Sequence, residues 1–564
     1  MPAPTLDDAR AVLKRYFGYP DFRGPQVPAI EAALSGRDAV IVLPTGGGKS
    51  ICFQVPALCR PGLTVVVSPL ISLMADQVQA LDRRGIGSTF LNSTLEADET
   101  AARVARIRTG DIRLLYLAPE RLAVGSTSAL LTQVGVGLLA VDEAHCVSEW
   151  GQDFRPSYLR LAALRREIGD PQTVALTATA TPRVRTDIAR LLELRSPVEV
   201  IGGFDRPNLT FRVQRVRDDL ARNQALVDVV RATGDPVVVY AATRKQVERV
   251  ARILQAGRVQ AVGYHAGLET GRRARAQDAF MSGATRVIVA TNAFGMGIDK
   301  PNVRLVVHYL HSGSLEDYYQ EAGRAGRDGE RSECLLLFHH ADRGVHDRMR
   351  DGSRPGEQLL RDSWLALAQA SRGRRAVPLD PAIIAGQLEA RPDPAMVAKA
   401  LTVLRERGIL VSASPIESVR LRVLATELRI ACELPHLASA SKAMLLAAVD
   451  HDDDTAAWRE VRFADLGLGA WQAEAAVSEL ESRQLVFADR HIPTAVVSHA
   501  MADQARLERC LSQLRMRRRA ERTKLDAIVG YATTTGCRRA FILGYFGEAV
   551  AASSGCGDCD VCAP

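Results

Sequence analysis

Lysine is scarce in this chain. Only 7 of its 72 basic residues are Lys, and the rest are Arg, which keeps its charge at any ordinary pH and makes forked contacts to phosphate. Long apolar runs are also missing, and none approaches the roughly 20 residues needed to cross a bilayer, so no membrane association is expected. The first residues, Met1-Pro2-Ala3-Pro4-Thr5-Leu6-Asp7-Asp8, lack the basic-then-apolar pattern of a signal peptide. The ten Cys are not spaced as a disulfide framework, and four crowd the C-terminus. A reducing cytosol and a metal site account for that distribution. With 47% hydrophobic and 24% charged residues, the 564-residue chain is globular, long enough for roughly three to five domains. The net charge of +7 is compatible with a polyanionic partner.

Val40-Ile41-Val42-Leu43 reads as a short apolar strand, followed by Pro44-Thr45-Gly46-Gly47-Gly48-Lys49-Ser50. The glycines let backbone N–H groups curl around phosphates. Lys49 reaches the β and γ phosphates, and the Ser50 hydroxyl suits Mg²⁺. The full pattern places Gly where Leu43 stands, so the match is partial. A second apolar run, Val134–Val141, ends in Asp142-Glu143 at the carboxyl edge of a sheet, where open α/β folds bind ligands. Asp142 fits an anchor for the metal and Glu143 a group that orients and deprotonates water. Taken alone, such a pair would be a helix cap or a salt-bridge pair.

The loop after these acids holds Trp150, Gln152, Phe154, Arg155 and Tyr158. Planar groups for stacking and a cation for phosphate thus adjoin the acid pair. Strand–helix alternation restarts after Phe204-Asp205-Arg206-Pro207-Asn208 without a second P-loop. Instead Gln320-Glu321-Ala322-Gly323-Arg324-Ala325-Gly326-Arg327 offers two cations, three residues apart, suited to a bound γ-phosphate.

These residues resemble the RecQ family of superfamily 2 DNA helicases. The likeness rests on Phe17–Gln26, Pro44–Ser50, Val67–Leu70, Tyr116–Leu122, Asp142–Tyr158, Ala175–Ala180, Ala290–Lys300 and Gln320–Arg327, all in the family's order. It implies two RecA-like P-loop domains, residues 1–207 and 208–344, that close on ATP and Mg²⁺. It further implies stepping 3′ to 5′ along single-stranded DNA and separating duplex DNA, in repair or recombination, in the cytoplasm or on a bacterial nucleoid. By matching positions, Tyr19, Arg23 and Gln26 hold the adenine; Thr45, Gly46, Gly47, Gly48, Lys49, Ser50, Asp142 and Glu143 handle phosphate, metal and water. Arg324 and Arg327 act from the second half, with Arg327 as arginine finger, and Trp150, Gln152, Phe154 and Arg155 couple DNA to hydrolysis. The family carries His where Gln152 stands, Pro-Gly at Gly24-Pro25 and Asn at Asp299. Gln152 donates and accepts hydrogen bonds but carries no charge.

Cys537, Cys556, Cys559 and Cys562 form C-x₁₈-C-x₂-C-x₂-C, four soft thiolates suited to tetrahedral Zn²⁺, with an iron–sulfur cluster as the minor alternative. Their surroundings resemble the RecQ zinc module, so the chain reads as a short form of the family with that module displaced about 190 residues beyond the helicase core, within residues 499–564, behind a basic helical stretch. The intervening chain repeats weakly: Leu404–Val411 echoes Leu480–Phe487 at an offset of 76. Each segment ends a helix and opens a strand, which suggests winged-helix-like units over residues 345–430 and 431–498. The expected activity is ATP-dependent DNA unwinding; the alternatives are a DNA translocase or remodeller without productive unwinding, and a winged-helix binding factor with a vestigial core.

Overall fold

A computed structural model describes the chain apart from residues 1–3, 70, 93, 124, 293, 295–299, 371–376, 413–417, 450–457, 469–472, 474, 475, 478, 482, 490–493, 497–500, 550–554 and 564. Leu70 and Asp299, both in motifs read from the sequence, lie outside the described residues. The chain forms two compact units: Met1–Val345 with Arg517–Pro564, and His346–Met516.

Two parallel sheets build the first unit. One contains β1 (Ala39–Val42), β2 (Leu63–Val67), β3 (Ser88–Leu91), β4 (Leu114–Leu117), β5 (Val136–Val141), β6 (Gln172–Thr177) and β7 (Val198–Ile201). Their order is β3-β4-β2-β5-β6-β1-β7, with parallel pairing throughout. The other contains β8 (Leu209–Arg215), β9 (Val237–Tyr240), β10 (Ala261–Tyr264), β11 (Val287–Ala290), β12 (Leu305–His308) and β13 (Ser332–Phe338), in the order β10-β11-β9-β12-β13-β8. Helices cover both faces, so central strands such as β1, β4 and β9 are buried at every position. That is why they read as unbroken apolar runs rather than alternating ones. This is the α/β architecture expected from the sequence.

The C-terminal segment belongs to the same unit in space despite its distance in sequence. Phe546 stacks on Phe204 with ring centres 4.4 Å apart, and Glu548 Oε1 accepts the Phe204 N–H at 2.7 Å. Tyr531 and Tyr318 share a buried hydroxyl–hydroxyl hydrogen bond of 3.0 Å, and Tyr545 donates to Glu316 at 2.8 Å. Aromatic stacking with satisfied hydroxyls makes these strong anchors.

The second unit has two small antiparallel sheets. Val377–Pro378 and Val411–Ser412 flank Thr494–Val496, and Arg459–Arg462 and Val486–Asp489 flank Ser418–Val423. Each sheet therefore takes strands from both sides of the 430/431 line drawn from the sequence. Strands this short carry no period that names a distant partner. The internal repeat has a local counterpart: Gly408 and Gln484, also 76 apart, both take positive φ (+65° and +55°). The residue after each, Ile409 and Leu485, then donates back to Leu404 and Leu480 at 2.9 and 3.0 Å. Among the described residues no helix is long and apolar enough to cross a membrane.

Candidate nucleotide and nucleic-acid site

The glycine loop 44–50 leaves β1 at the carboxyl edge of the first sheet. Gly46 and Gly48 take φ of +81° and +74°, backbone open to glycine and strained for other residues. At Gly48 a Cβ would also stand 2.3 Å from Gln26 Nε2. Gln26 donates to the Gly47 and Gly48 carbonyls at 3.1 and 3.2 Å, and Arg23 donates to the Gly46 carbonyl at 2.6 Å. Two of the three residues assigned to adenine thus brace the loop, while Tyr19 is 53% exposed. Thr45 and Ser50 are half-buried, and Lys49 Nζ donates to the Leu43 carbonyl at 3.3 Å. Leu43, the departure from the full motif, has a structural counterpart in Gly202 after β7, where a Cβ would meet Leu43 Cδ2 at 2.4 Å.

The acid pair leaves β5 along the same edge. Ser68 Oγ lies 3.5 Å from Asp142 Oδ2, and the Glu143 N–H donates to Asp142 Oδ1 at 3.0 Å. Burial, then the Glu143 charge, pushes the Asp142 carboxyl up to about 7, with Lys49 opposing. Burial likewise raises Glu143, again opposed by Lys49. Glu143 has φ of +47°, a strained value for a side chain of its size. Its Oε2 stands 3.3 Å from His145 Nδ1. That nitrogen hydrogen-bonds Thr177 Oγ1 at 2.7 Å, so Glu143 Oε2 has no hydrogen bond of its own among the described residues. Burial pushes His145 down to about 4, so it is neutral at pH 7. A half-buried carboxylate pair facing one ammonium leaves room for further positive charge, and the Ser50 hydroxyl with Asp142 makes an all-oxygen donor set of the kind Mg²⁺ takes.

The aromatic loop folds back on the acids. The Tyr158 hydroxyl donates to the Asp142 carbonyl at 3.0 Å, and the Arg155 N–H donates to the Cys146 carbonyl at 2.9 Å. Gly151 is required there, because a Cβ would stand 1.8 Å from the His145 carbonyl oxygen. The Arg155 guanidinium binds Asp153 at 2.9 Å and the Pro69 carbonyl at 3.0 Å. Arg183 lies over the half-buried Trp150 ring, 3.3 Å from its centre. Phe154 is only 7% exposed. Gln152 crosses to the second sheet's lobe: its Nε2 donates to Asp317 Oδ1 at 2.8 Å and Gln320 Oε1 at 2.5 Å. Its Oε1 accepts from Thr179 Oγ1 at 3.0 Å. An amide satisfies donors and acceptors on both lobes at once, without charge.

On the second lobe Arg324 is 7% exposed and Arg327 half-buried. Both lower the acidity shift of the buried Tyr240, which burial pushes up to about 12. The turn that carries them is held by residues without a motif signal. Arg206 donates to the carbonyls of Gly323, Ala325 and Gly326 at 3.3, 3.1 and 3.1 Å, and Asn208 donates to that of Gly326 at 2.8 Å. Gly326 has φ of +54°, and a Cβ there would meet Asn208 Nδ2 at 2.5 Å.

The Sγ atoms of Cys537, Cys556, Cys559 and Cys562 lie within 4.8 Å of one another. Tetrahedral Zn–S bonds of about 2.3 Å need sulfurs about 3.8 Å apart, so the cluster fits that ion. The Ala540 and Cys559 N–H groups donate to Cys537 and Cys556 at 3.5 and 3.3 Å, and Arg538 pairs with Asp560 at 3.0 Å.

Three family models match: DEAD/DEAH box helicase over residues 23–188, helicase conserved C-terminal domain over 221–329, and RecQ zinc-binding over 501–563. The ATP-dependent DNA helicase RecQ of Bacillus subtilis (strain 168) is 44% identical over 365 residues, 63% of this chain and 60% of that one. The chain belongs to the RecQ family. A second RecQ, from Haemophilus influenzae, is also 44% identical, over 59% of this chain and 54% of that protein. The RecQ-family chain described here thus spans a little over half the length of these curated relatives. A crystal structure of the DUF1998 helicase MrfA bound to DNA shares the fold, at TM-score 0.51 and 19% identity, over 73% of this chain and 59% of that one.

Proposed function

We propose that this RecQ-family chain is an ATP-dependent DNA helicase, which hydrolyses ATP in response to single-stranded DNA, moves 3′ to 5′ and separates duplex DNA. The reading is carried by one juxtaposition: the loop that holds Trp150, Phe154 and Arg155 starts at Glu143 and is tied by Gln152 to Asp317 and Gln320 across the cleft. A change in the loop on contact with DNA therefore bears on both lobes and on the catalytic acid.

Lys49 and the Gly46–Gly48 amides would bind the phosphates, and Arg324 and Arg327 would meet the γ-phosphate from the second lobe. Glu143, half-buried, with its pKa raised and one oxygen unbonded, would orient the attacking water and take its proton. Ser50 and Asp142 would hold Mg²⁺, which when bound neutralises charge on the phosphates. The four Cys would hold Zn²⁺ as a structural ion.

ATP turnover with and without single-stranded DNA, beside strand displacement on a 3′-tailed duplex, tests this reading. Turnover rising at least about tenfold with DNA, together with displacement, is expected. No stimulation would sink the helicase reading, and stimulation without displacement would leave a translocase.

A further inference from the structure

The helix Met501–Thr533 carries the basic run noted in the sequence. Its residues 517–533 belong to the unit that holds the aromatic loop. Lys524 is 9% exposed, and its ammonium donates to the carbonyl of Gly151. Among the described residues it makes no ion pair, so the desolvation of this charge is borne for a carbonyl contact alone. That carbonyl lies in the turn pressed against His145, and the Lys524 charge is among those that act on His145. Seven residues earlier, the Arg517 guanidinium sits 5.2 Å from the centre of the Phe154 ring, while its Nε donates to Glu521 at 3.3 Å. Residues 517, 521 and 524 are spaced to share one helix face. Arg519 and Arg522 are exposed.

We infer that Arg517 and Lys524 are positioning residues for the aromatic loop, so that the helix leading into the four-cysteine module sets how DNA contact at Trp150–Arg155 is passed to Glu143. Lys524 fixes the turn at Gly151, and Arg517 holds the ring of Phe154. A loop anchored at both points answers DNA as one body; a loop released from Lys524 absorbs the contact locally. The inference rests on the helicase reading above.

Hydrogen exchange of the peptide spanning residues 146–155, measured beside ATP turnover on full-length, zinc-loaded protein, tests it. In Lys524→Met, exchange in that peptide should quicken about tenfold. The ratio of DNA-stimulated to basal turnover should fall about tenfold while the KM for ATP stays within about twofold. Lys524→Arg should restore most of the ratio, Arg517→Ala should lower it less, and Arg519→Ala should change neither readout. Unchanged exchange in Lys524→Met, or faster exchange with an intact ratio, overturns the inference. If wild-type turnover ignored DNA, the helicase reading would fail instead, and the exchange result tells the two failures apart because it does not depend on turnover.

Discussion

Two aspartates stand at opposite edges of the first sheet, Asp38 buried and Asp142 half-buried. Asp38, just before β1, accepts from Arg165 at 2.8 Å and from the N–H groups of Thr173 and Arg195 at 2.8 and 2.7 Å. Asp142, just after β5, has a long contact to Ser68, the amide of its neighbour, and a second half-buried carboxylate beside it. The first is satisfied on all sides and ties strands and helix together. The second is left short of positive charge, which is the condition for taking a cation or a proton. The completeness of the partners separates them, and the less satisfied of the two is also the less buried.

The comparison can be broken most directly at the carboxyl edge. Glu143→Gln should lower ATP turnover about 10³-fold while leaving the urea midpoint unchanged or slightly higher, since a neutral amide sheds the burial penalty on the carboxylate. A variant that unfolded instead would make Glu143 structural. At the amino edge the pattern should invert. Asp38→Ala strands the buried Arg165 and should lower unfolding free energy by about 3–5 kcal/mol, while the folded fraction keeps its turnover. A loss under about 1 kcal/mol would show that Asp170, 2.7 Å from Arg165 Nε, suffices alone.

The smallest effect is on pH. Burial also pushes Asp317 up to about 7, from an ordinary 3.8. A carboxyl whose pKa is raised by folding adds stability that is complete below its unfolded value and lost as pH rises through the folded one. The nucleotide-free chain should therefore lose stability between about pH 4 and pH 8 from Asp142 and Asp317 together. Asp317→Asn should flatten that slope by a few degrees of thermal midpoint, about 2–4 °C per kcal/mol in a chain this large. An unaltered slope would remove Asp317 from the account.

The chemistry that depends on adjacency was legible in the sequence. The glycines with Lys49, the Asp142-Glu143 pair and the run Cys556, Cys559 and Cys562 stand at spacings of a few residues, and the strands that lead into the first two are unbroken apolar runs. The departure at Leu43 was legible only as a mismatch, because its counterpart, Gly202, is 159 positions away and has no side chain to leave a signal. Gln152 could be read as a residue able to donate and accept, but not as the tie between Thr179, Asp317 and Gln320.

By itself, then, the sequence determined the two α/β lobes, the family they belong to, and the groups that are candidates for phosphate, metal and water. Tertiary structure alone decided that Arg206 and Asn208 hold the arginine turn, that Lys524 reaches Gly151 across 373 positions, and that short strands on either side of residue 430 share sheets. The reason is the same in each case. Local patterns encode what a residue can do and which face it buries, whereas a contact between distant segments has no period or spacing and exists only once both have been packed.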